Sequence, residues 1–263
     1  MVSMRRRSGL LFVLAAFALP AGTAQTATAT PATLVDGVAA PGSNALALLH
    51  KPGDEVRLSN ETTITRIVAA IKSSPIRTQP HSGARTVAAT RFVSASKTIA
   101  IYGVLRASLD ASGRRWLQVR IPGRPNGRTG WALKSAFSPM AVVRTQLVVD
   151  RRSLRATLYR SGRQIWSARV GVGKAGTPTP RGRYYIDRGE GAIFGPVYGS
   201  HIFFTTAYSN LPDWPGGGIV GIHGTNQPGL VPGRPSHGCI RLHNSDIKRL
   251  ARLMPVGTPL LVR

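Results

Sequence analysis

The sequence predicts a mainly β protein of two domains with one short helix, and three features of the chain carry that prediction. Short extended runs separated by Gly and Pro turns fill residues 73–139, a spacing that suggests a small barrel. Alternating runs resume after Ser138-Pro139, with apolar side chains on one face and Arg, Thr and Tyr on the other. A single amphipathic helix is signalled near the C-terminus.

The chain opens with Arg5, Arg6 and Arg7, an apolar stretch at 10–19 and the small residues Gly22-Thr23-Ala24, the pattern of an export signal over residues 1–24. That stretch falls short of the about twenty residues needed to span a bilayer. A secreted chain beginning near Gln25 is therefore expected, with an uncleaved anchor as the alternative. No cysteine near this site offers a point for lipid attachment. Residues 25–72 read as a flexible stem, rich in Ala, Thr, Pro and Gly as far as about 45. Within it Ile64, Ile67, Val68 and Ile71 fit one face of a short helix ending before Ser73-Ser74-Pro75.

In the first domain, 73–139, strands are expected at 85–89, 98–105, 116–121 and 130–133, with Trp116 and Trp131 in the core. In the second, 144–263, runs at 146–150 and 154–159 flank an Arg151-Arg152-Ser153 turn. Leu154, Ala156 and Leu158 then oppose Arg155, Thr157 and Tyr159, as a half-buried hairpin requires. A further run at 164–172 places Trp166, Ala168, Val170 and Val172 on one face, and Thr177-Pro178-Thr179-Pro180-Arg181-Gly182 makes a stiff elbow before Tyr184-Tyr185-Ile186. Asn244 or Ser245 is suited to cap the helix and Asp246 to its first turn. Ile247, Leu250, Ala251 and Met254 share a face of it before Pro255 ends it. Lying just after Cys239, this helix is placed to brace the loop that carries the sulfur.

Cys239 is the only cysteine in the chain. Exported cysteines usually pair, so an unpaired one is either a reactive thiol or an inert buried one. His223, His237 and His243 lie close by in sequence, and a thiol needs a base to become a nucleophilic thiolate. Gly238 removes the side chain before the sulfur, which lets the amides of His237, Gly238 and Cys239 turn toward an oxyanion. Carboxylates number ten and are scattered, which argues against carboxylate-pair chemistry. The His and Cys spacings are weak as ligand signatures, so no metal and no cofactor are expected. With 35 Lys and Arg against those ten acids, the formal charge of +25 attracts polyanions. Nucleic acid is not expected among them, because the basic residues are spread along the chain, no zinc-finger or RNA-recognition motif occurs, and the leader directs the chain outside. An arginine-rich coding bias explains the charge equally well.

Two resemblances sharpen this reading. The run from Trp116 to Trp131-Ala132-Leu133 resembles the closing strands of bacterial SH3-like domains, which implies a small SH3-like barrel of the kind found beside wall-processing enzymes. His223-Gly224-Thr225-Asn226 followed by Ser236-His237-Gly238-Cys239-Ile240-Arg241-Leu242-His243-Asn244 resembles the signature of the YkuD-type L,D-transpeptidases. Val170-Gly171-Val172-Gly173-Lys174 and the 177–182 elbow resemble that family's upstream block, so the likeness covers 144–263. It implies a β-sandwich in the bacterial cell wall or periplasmic space, acting on peptidoglycan stem peptides with a tetrapeptide donor and a diamino-acid acceptor. Anionic wall polymers are candidate further partners.

Cys239 then becomes the nucleophile and His223 its base, because relatives with Lys at the position of His237 are otherwise alike. His237 also reaches the sulfur if the chain there is extended. Arg241 is expected to meet a substrate carboxylate or to hold the loop through backbone carbonyls. Gly224 stands where some relatives carry Ser, and its carbonyl is expected to orient the imidazole. Ser236 and Asn244 are expected to fix the loop and cap the helix. The implied cycle runs through a Cys239 thioester to a 3→3 cross-link if an amine accepts the acyl group. With water as acceptor the same site is an L,D-carboxypeptidase, and without catalysis the chain is a basic wall-binding protein. A sortase-type ligase also places His before Cys and Arg, but expects a Thr-x-Thr-Cys strand that Ser236-His237-Gly238-Cys239 does not supply.

Overall fold

A computed structural model describes residues 34–35, 38–39, 44–191 and 194–263. The expected export signal and most of the Ala/Thr/Pro-rich stem lie outside these residues. Among the described residues no helix is long and apolar enough to cross a membrane.

The first domain is a single antiparallel sheet in the order Ala141–Val143, Thr65–Ala69, Ile101–Leu109, Arg115–Arg120, Thr129–Leu133, Pro75–Arg77, Thr86–Ala89, with Glu55–Arg57 also pairing with Ile101–Leu109. Trp116 and Trp131 are buried, and the Trp116 indole N–H donates to Asp110 Oδ2 at 2.8 Å. Burial pushes the Asp110 carboxyl up, but hydrogen bonds from Trp116, Arg114 and Ser112 outweigh it and hold the pKa at about 2.

The stem and its helix need correction. Residues expected in a flexible segment up to 72 form the strands Glu55–Arg57 and Thr65–Ala69, and the sheet is closed on one side by Ala141–Val143. Ile64 and Val68 are buried as expected, but Ile71 is 54% exposed and Arg66 is buried, which no single helical face produces. Four apolar β-branched residues in eight satisfy both periods, and cross-strand pairing with Ile101–Leu109 decided for the strand. Among the described residues of this segment, helical structure is confined to the 3-10 turn Ala45–Leu48.

The second domain is a ten-stranded sheet in the order Arg163–Arg169, Arg155–Arg160, Thr145–Asp150, Pro259–Val262, Gly182–Gly191, His201–Tyr208, Ile219–His223, Ile240–Arg241, Gly171–Gly173, Gly233–Ser236. The expected hairpin forms, with Ala156 and Leu158 buried and the turn tied by Asp150 Oδ1, which accepts from the amides of Arg152 and Ser153 at 2.9 Å each. The C-terminal strand Pro259–Val262, unforeseen in the sequence, lies in mid-sheet between Thr145–Asp150 and Gly182–Gly191. The only α-helix among the described residues, Asn244–Ala251, presses Ile247 and Leu250 into the same core, each fully buried. Such burial contributes about 1.5–3 kcal/mol per side chain, enough to hold the end of the preceding strand in place.

The two domains touch through specific polar contacts. The Tyr185 hydroxyl donates to the Ile101 carbonyl at 2.6 Å, Arg188 Nη1 donates to the Ser96 carbonyl at 2.6 Å, and Ser96 Oγ donates to Asp187. Between the domains lies a cleft of about 330 Å³ lined by Arg91, Tyr102, Arg124, Arg128, Asp187 and Tyr208 among others. Neither Cys239 nor a histidine is among its lining residues.

Candidate active site

Two neighbouring parallel strands assemble the reactive groups. Ile222 pairs with Ile240 and His223 with Arg241. Ile222 and Ile240 are both completely buried in the core, so the alternation of a strand sends His223, Cys239 and Arg241 to the opposite face. All three line one pocket of about 180 Å³, together with His237, Ser236, Tyr198, Ser209 and Trp214. Gly221, without a side chain, stands next to the sulfur, and its amide donates to Cys239 Sγ at 3.4 Å.

His223 is 3% exposed. Its Nδ1 lies 2.6 Å from the Gly224 carbonyl, which requires the proton on Nδ1 and leaves the Nε2 lone pair as the acceptor. Burial lowers the imidazole pKa to about 4, the Gly224 contact raising it and the Arg241 charge lowering it. The ring is therefore neutral near pH 7 and able to take a proton. The Tyr198 ring packs edge-on against it, centroids 5.0 Å apart. Cys239 is half-buried, and burial pushes its thiol above the ordinary value against a lowering by the Gly221 amide and Arg241. The resting pair is thus thiol and neutral imidazole.

The loop carrying the sulfur is held from three sides. Ser236 Oγ donates to the Cys239 carbonyl at 2.6 Å and accepts from the Gly238 amide at 3.1 Å. Thr179, fully buried in the elbow, donates to the Gly238 carbonyl at 2.8 Å and accepts from the Gly173 amide at 2.9 Å. The Lys174 amide donates to the Ser236 carbonyl at 3.0 Å. The Thr-Pro-Thr-Pro elbow is thereby a buttress for the nucleophile, a role its sequence did not disclose.

Several expectations change here. The Gly238 amide, expected in an oxyanion hole, is engaged by Ser236 Oγ. Gly238 has φ +125, so the chain between His237 and Cys239 is not extended, and the His237 ring stacks on Trp214 at 4.4 Å. Asn244 does not cap the helix. The N-cap is His243, with no side-chain cap, and His243 is outside the pocket lining. Asn244 Oδ1 instead accepts from the amides of Ser200 at 3.0 Å and Thr225 at 3.2 Å, while Nδ2 donates to the Thr225 carbonyl at 3.0 Å. This ties the start of the helix to the turn that follows His223. It also accounts for two glycines, since a Cβ on Gly199 or Gly224 would lie 2.1 Å from Asn244 Oδ1. Asn244→Ala should cost about 1 kcal/mol, because the part-buried Thr225 amide and carbonyl lose their partner. Gly224→Ala should also destabilise, and by less in the Asn244→Ala background; urea midpoints of the four proteins check both statements.

Arg241 Nη1 donates to Gln227 Oε1 at 3.2 Å, so its loop partner is a side chain and not the expected backbone carbonyl. Its Nε is buried and has no acceptor among the described residues. Sequence reasoning passed over Tyr198, Ser209 and Trp214, which reach the pocket from loops far from the motif. Among the described residues no His, Cys, Asp and Glu cluster is able to hold a metal ion.

A half-buried thiol and a buried neutral imidazole on one pocket of a β domain are the groups that nucleophilic thiol chemistry requires. Residues 144–262 match the model of the YkuD family, the L,D-transpeptidase catalytic domain. Over 115 residues the chain is 34% identical to a YkuD L,D-transpeptidase assigned in Bacillus licheniformis, a match covering 44% of this chain and 62% of that protein. Its counterpart in Bacillus subtilis is 29% identical over 154 residues, covering 57% and 77%. The crystal structure of a cysteine-to-serine mutant of Enterococcus faecium L,D-transpeptidase aligns over 45% of this chain and 49% of that one, at 29% identity and a TM-score of 0.35. The chain thus spans less than two thirds of the first of these relatives.

Proposed function

We propose that the chain is an exported L,D-transpeptidase that forms 3→3 cross-links between peptidoglycan stem peptides through a Cys239 thioester. The observation that carries this reading is the convergence of Cys239 Sγ and a neutral, Nδ1-anchored His223 on one pocket. His223 Nε2 takes the thiol proton as sulfur attacks the carbonyl joining the third stem residue to its terminal D-alanine. The His237 and Cys239 amides serve the oxyanion, Gly238 being engaged elsewhere. D-alanine departs with the proton held by His223, leaving the thioester. The side-chain amine of a diamino acid on a second stem then attacks, its proton passing to the sulfur as the C–S bond breaks. Arg241 lines the pocket, and its positive charge suits a carboxylate of the donor stem. The SH3-like reading of the first domain and its positive charge fit residence on an anionic wall.

Purified protein incubated with a tetrapeptide-stem muropeptide should yield a dimer lighter than two substrates by one D-alanine for each bond formed, read by mass spectrometry. Tripeptide alone would make the protein an L,D-carboxypeptidase, and unchanged substrate would overturn the enzymatic reading.

A further inference from the structure

We infer that the first domain completes the active site, with Arg124 as a positioning residue for the pocket wall formed by Trp214 and His237; this rests on the function proposed above. Arg124 lies in the turn joining the strands Arg115–Arg120 and Thr129–Leu133 of the first domain, yet its guanidinium is bonded entirely to the second. Nη2 donates to the Ser209 carbonyl at 2.9 Å and Nη1 to the Gly217 carbonyl at 2.8 Å. The same group sits over the Tyr208 ring, 4.8 Å from its centroid. Two residues on, Asn126 Nδ2 donates to the Tyr208 carbonyl at 2.7 Å and Asn126 Oδ1 accepts from the Tyr208 amide at 3.0 Å.

These contacts fall on the two ends of one loop. The Ser209 amide donates to the Gly218 carbonyl at 2.8 Å, closing a neck from which residues 210–217 project. The fork of Arg124 grips that neck from both sides, a planar two-point geometry that Lys lacks. The neck leaves room for nothing else: a Cβ on Gly218 would lie 2.3 Å from the Leu211 carbonyl and 2.6 Å from Arg124 Nη2. The projecting loop carries Trp214, which is 42% exposed and stacks on His237 at the mouth of the pocket. Ser209, at the neck, lines the pocket itself and is 3.1 Å from where a Cβ on Gly238 would sit. Within the loop the Trp214 amide donates to the Leu211 carbonyl at 3.4 Å and the Gly217 amide to the Trp214 carbonyl at 2.8 Å. Asn210 Nδ2, beside the neck, adds a bond to the Gly176 carbonyl at 3.1 Å, so the loop's angle to the pocket is set at its neck end. The supports of Cys239 itself, Gly221, Ser236 and Thr179, do not pass through Arg124. Arg124 therefore acts on how a stem peptide is held and not on how the thiol is activated.

The test uses the full chain with Arg124→Ala, Arg124→Lys and, as a control, Tyr185→Phe, which removes the separate interdomain bond to the Ile101 carbonyl. Arg124→Ala should raise KM for the tetrapeptide donor about tenfold with kcat within about threefold, a loss of one charge-assisted two-point anchor. Arg124→Lys should recover only part of this, and Tyr185→Phe should leave KM unchanged. Alkylation of Cys239 by iodoacetamide should proceed at the wild-type rate in all three. Acrylamide quenching reports the loop without any turnover, because Trp214 is exposed while Trp116, Trp131 and Trp166 are buried. It should change in Arg124→Ala and not in Tyr185→Phe. Equal effects in both variants would reduce Arg124 to general interdomain adhesion, and unchanged KM and quenching in a folded Arg124→Ala protein would overturn the inference. A wild type with no product but an altered quench in Arg124→Ala would sink the proposed function while leaving the clamp standing.

Discussion

Replacing Cys239 with Ala is expected to abolish acyl transfer: no carbapenem adduct on the intact protein by mass spectrometry, and turnover of tetrapeptide stems down at least about a thousandfold. The fold should survive. Cys239 Sγ receives one long hydrogen bond, from Gly221 at 3.4 Å, and the side chain is only half-buried, so truncation should cost no more than about 2 kcal/mol. The loop is held by Ser236 and Thr179 through backbone groups that the substitution keeps. A folded Ala variant that still carried the adduct would move the nucleophile elsewhere, and this sequence contains no other thiol.

The second large effect belongs to His223, and its signature is a pH dependence. His223→Gln should slow acylation of Cys239 by about 10²–10⁴, the usual contribution of a positioned base. In the wild type, burial lowers the imidazole to about 4, so the proton-accepting form persists down to that pH. The acid limb of the acylation profile should therefore fall near pH 4 and not near 6.5, where an ordinary imidazole titrates. The same shift enters stability. Between pH 6.5 and 4 the unfolded chain binds a proton at this histidine that the folded chain refuses, so stability is full above 6.5 and declines as pH falls toward 4. The decline is about 3 kcal/mol, and His223→Gln should remove it from the pH dependence of urea unfolding. A limb at the ordinary imidazole value would show that His223 is solvated in solution or that another group is the base.

The resting ionisation separates this pair from cysteine enzymes that hold a preformed thiolate. Both groups are buried enough to favour their neutral forms, and the Arg241 charge assists only the thiolate. Thiolate and imidazolium then arise together during attack, and the resting thiol is the less oxidisable form.

Much of this was readable along the chain because it depends on neighbours in sequence. The Leu154 to Tyr159 alternation specified its own hairpin, since a strand has only two faces and the apolar one must be covered. The apolar stripe of Asn244–Ala251 likewise specified a helix, and the His-Gly-Cys run with an upstream His marked the reactive sulfur. The stripe at 64–71 misled because β-branched residues at that spacing satisfy a helix and a strand alike, and the choice lies with a partner strand, Ile101–Leu109, well outside any local window. Asn244 looked like a cap because that residue type caps so often, yet its amide was recruited by two loops that no local pattern brings near it.

The composition and motif of this chain settled its chemistry in outline: one thiol, a histidine to serve it, and glycines where backbone must approach closely. Folding chose the rest, namely which histidine shares the sulfur's face, which amide is already engaged, how far burial shifts each proton, and which loop from another domain closes the wall. The division has a physical cause. Residue type and short-range period are properties of consecutive atoms, whereas desolvation and long-range hydrogen bonding depend on what packs against them after every strand has found its place.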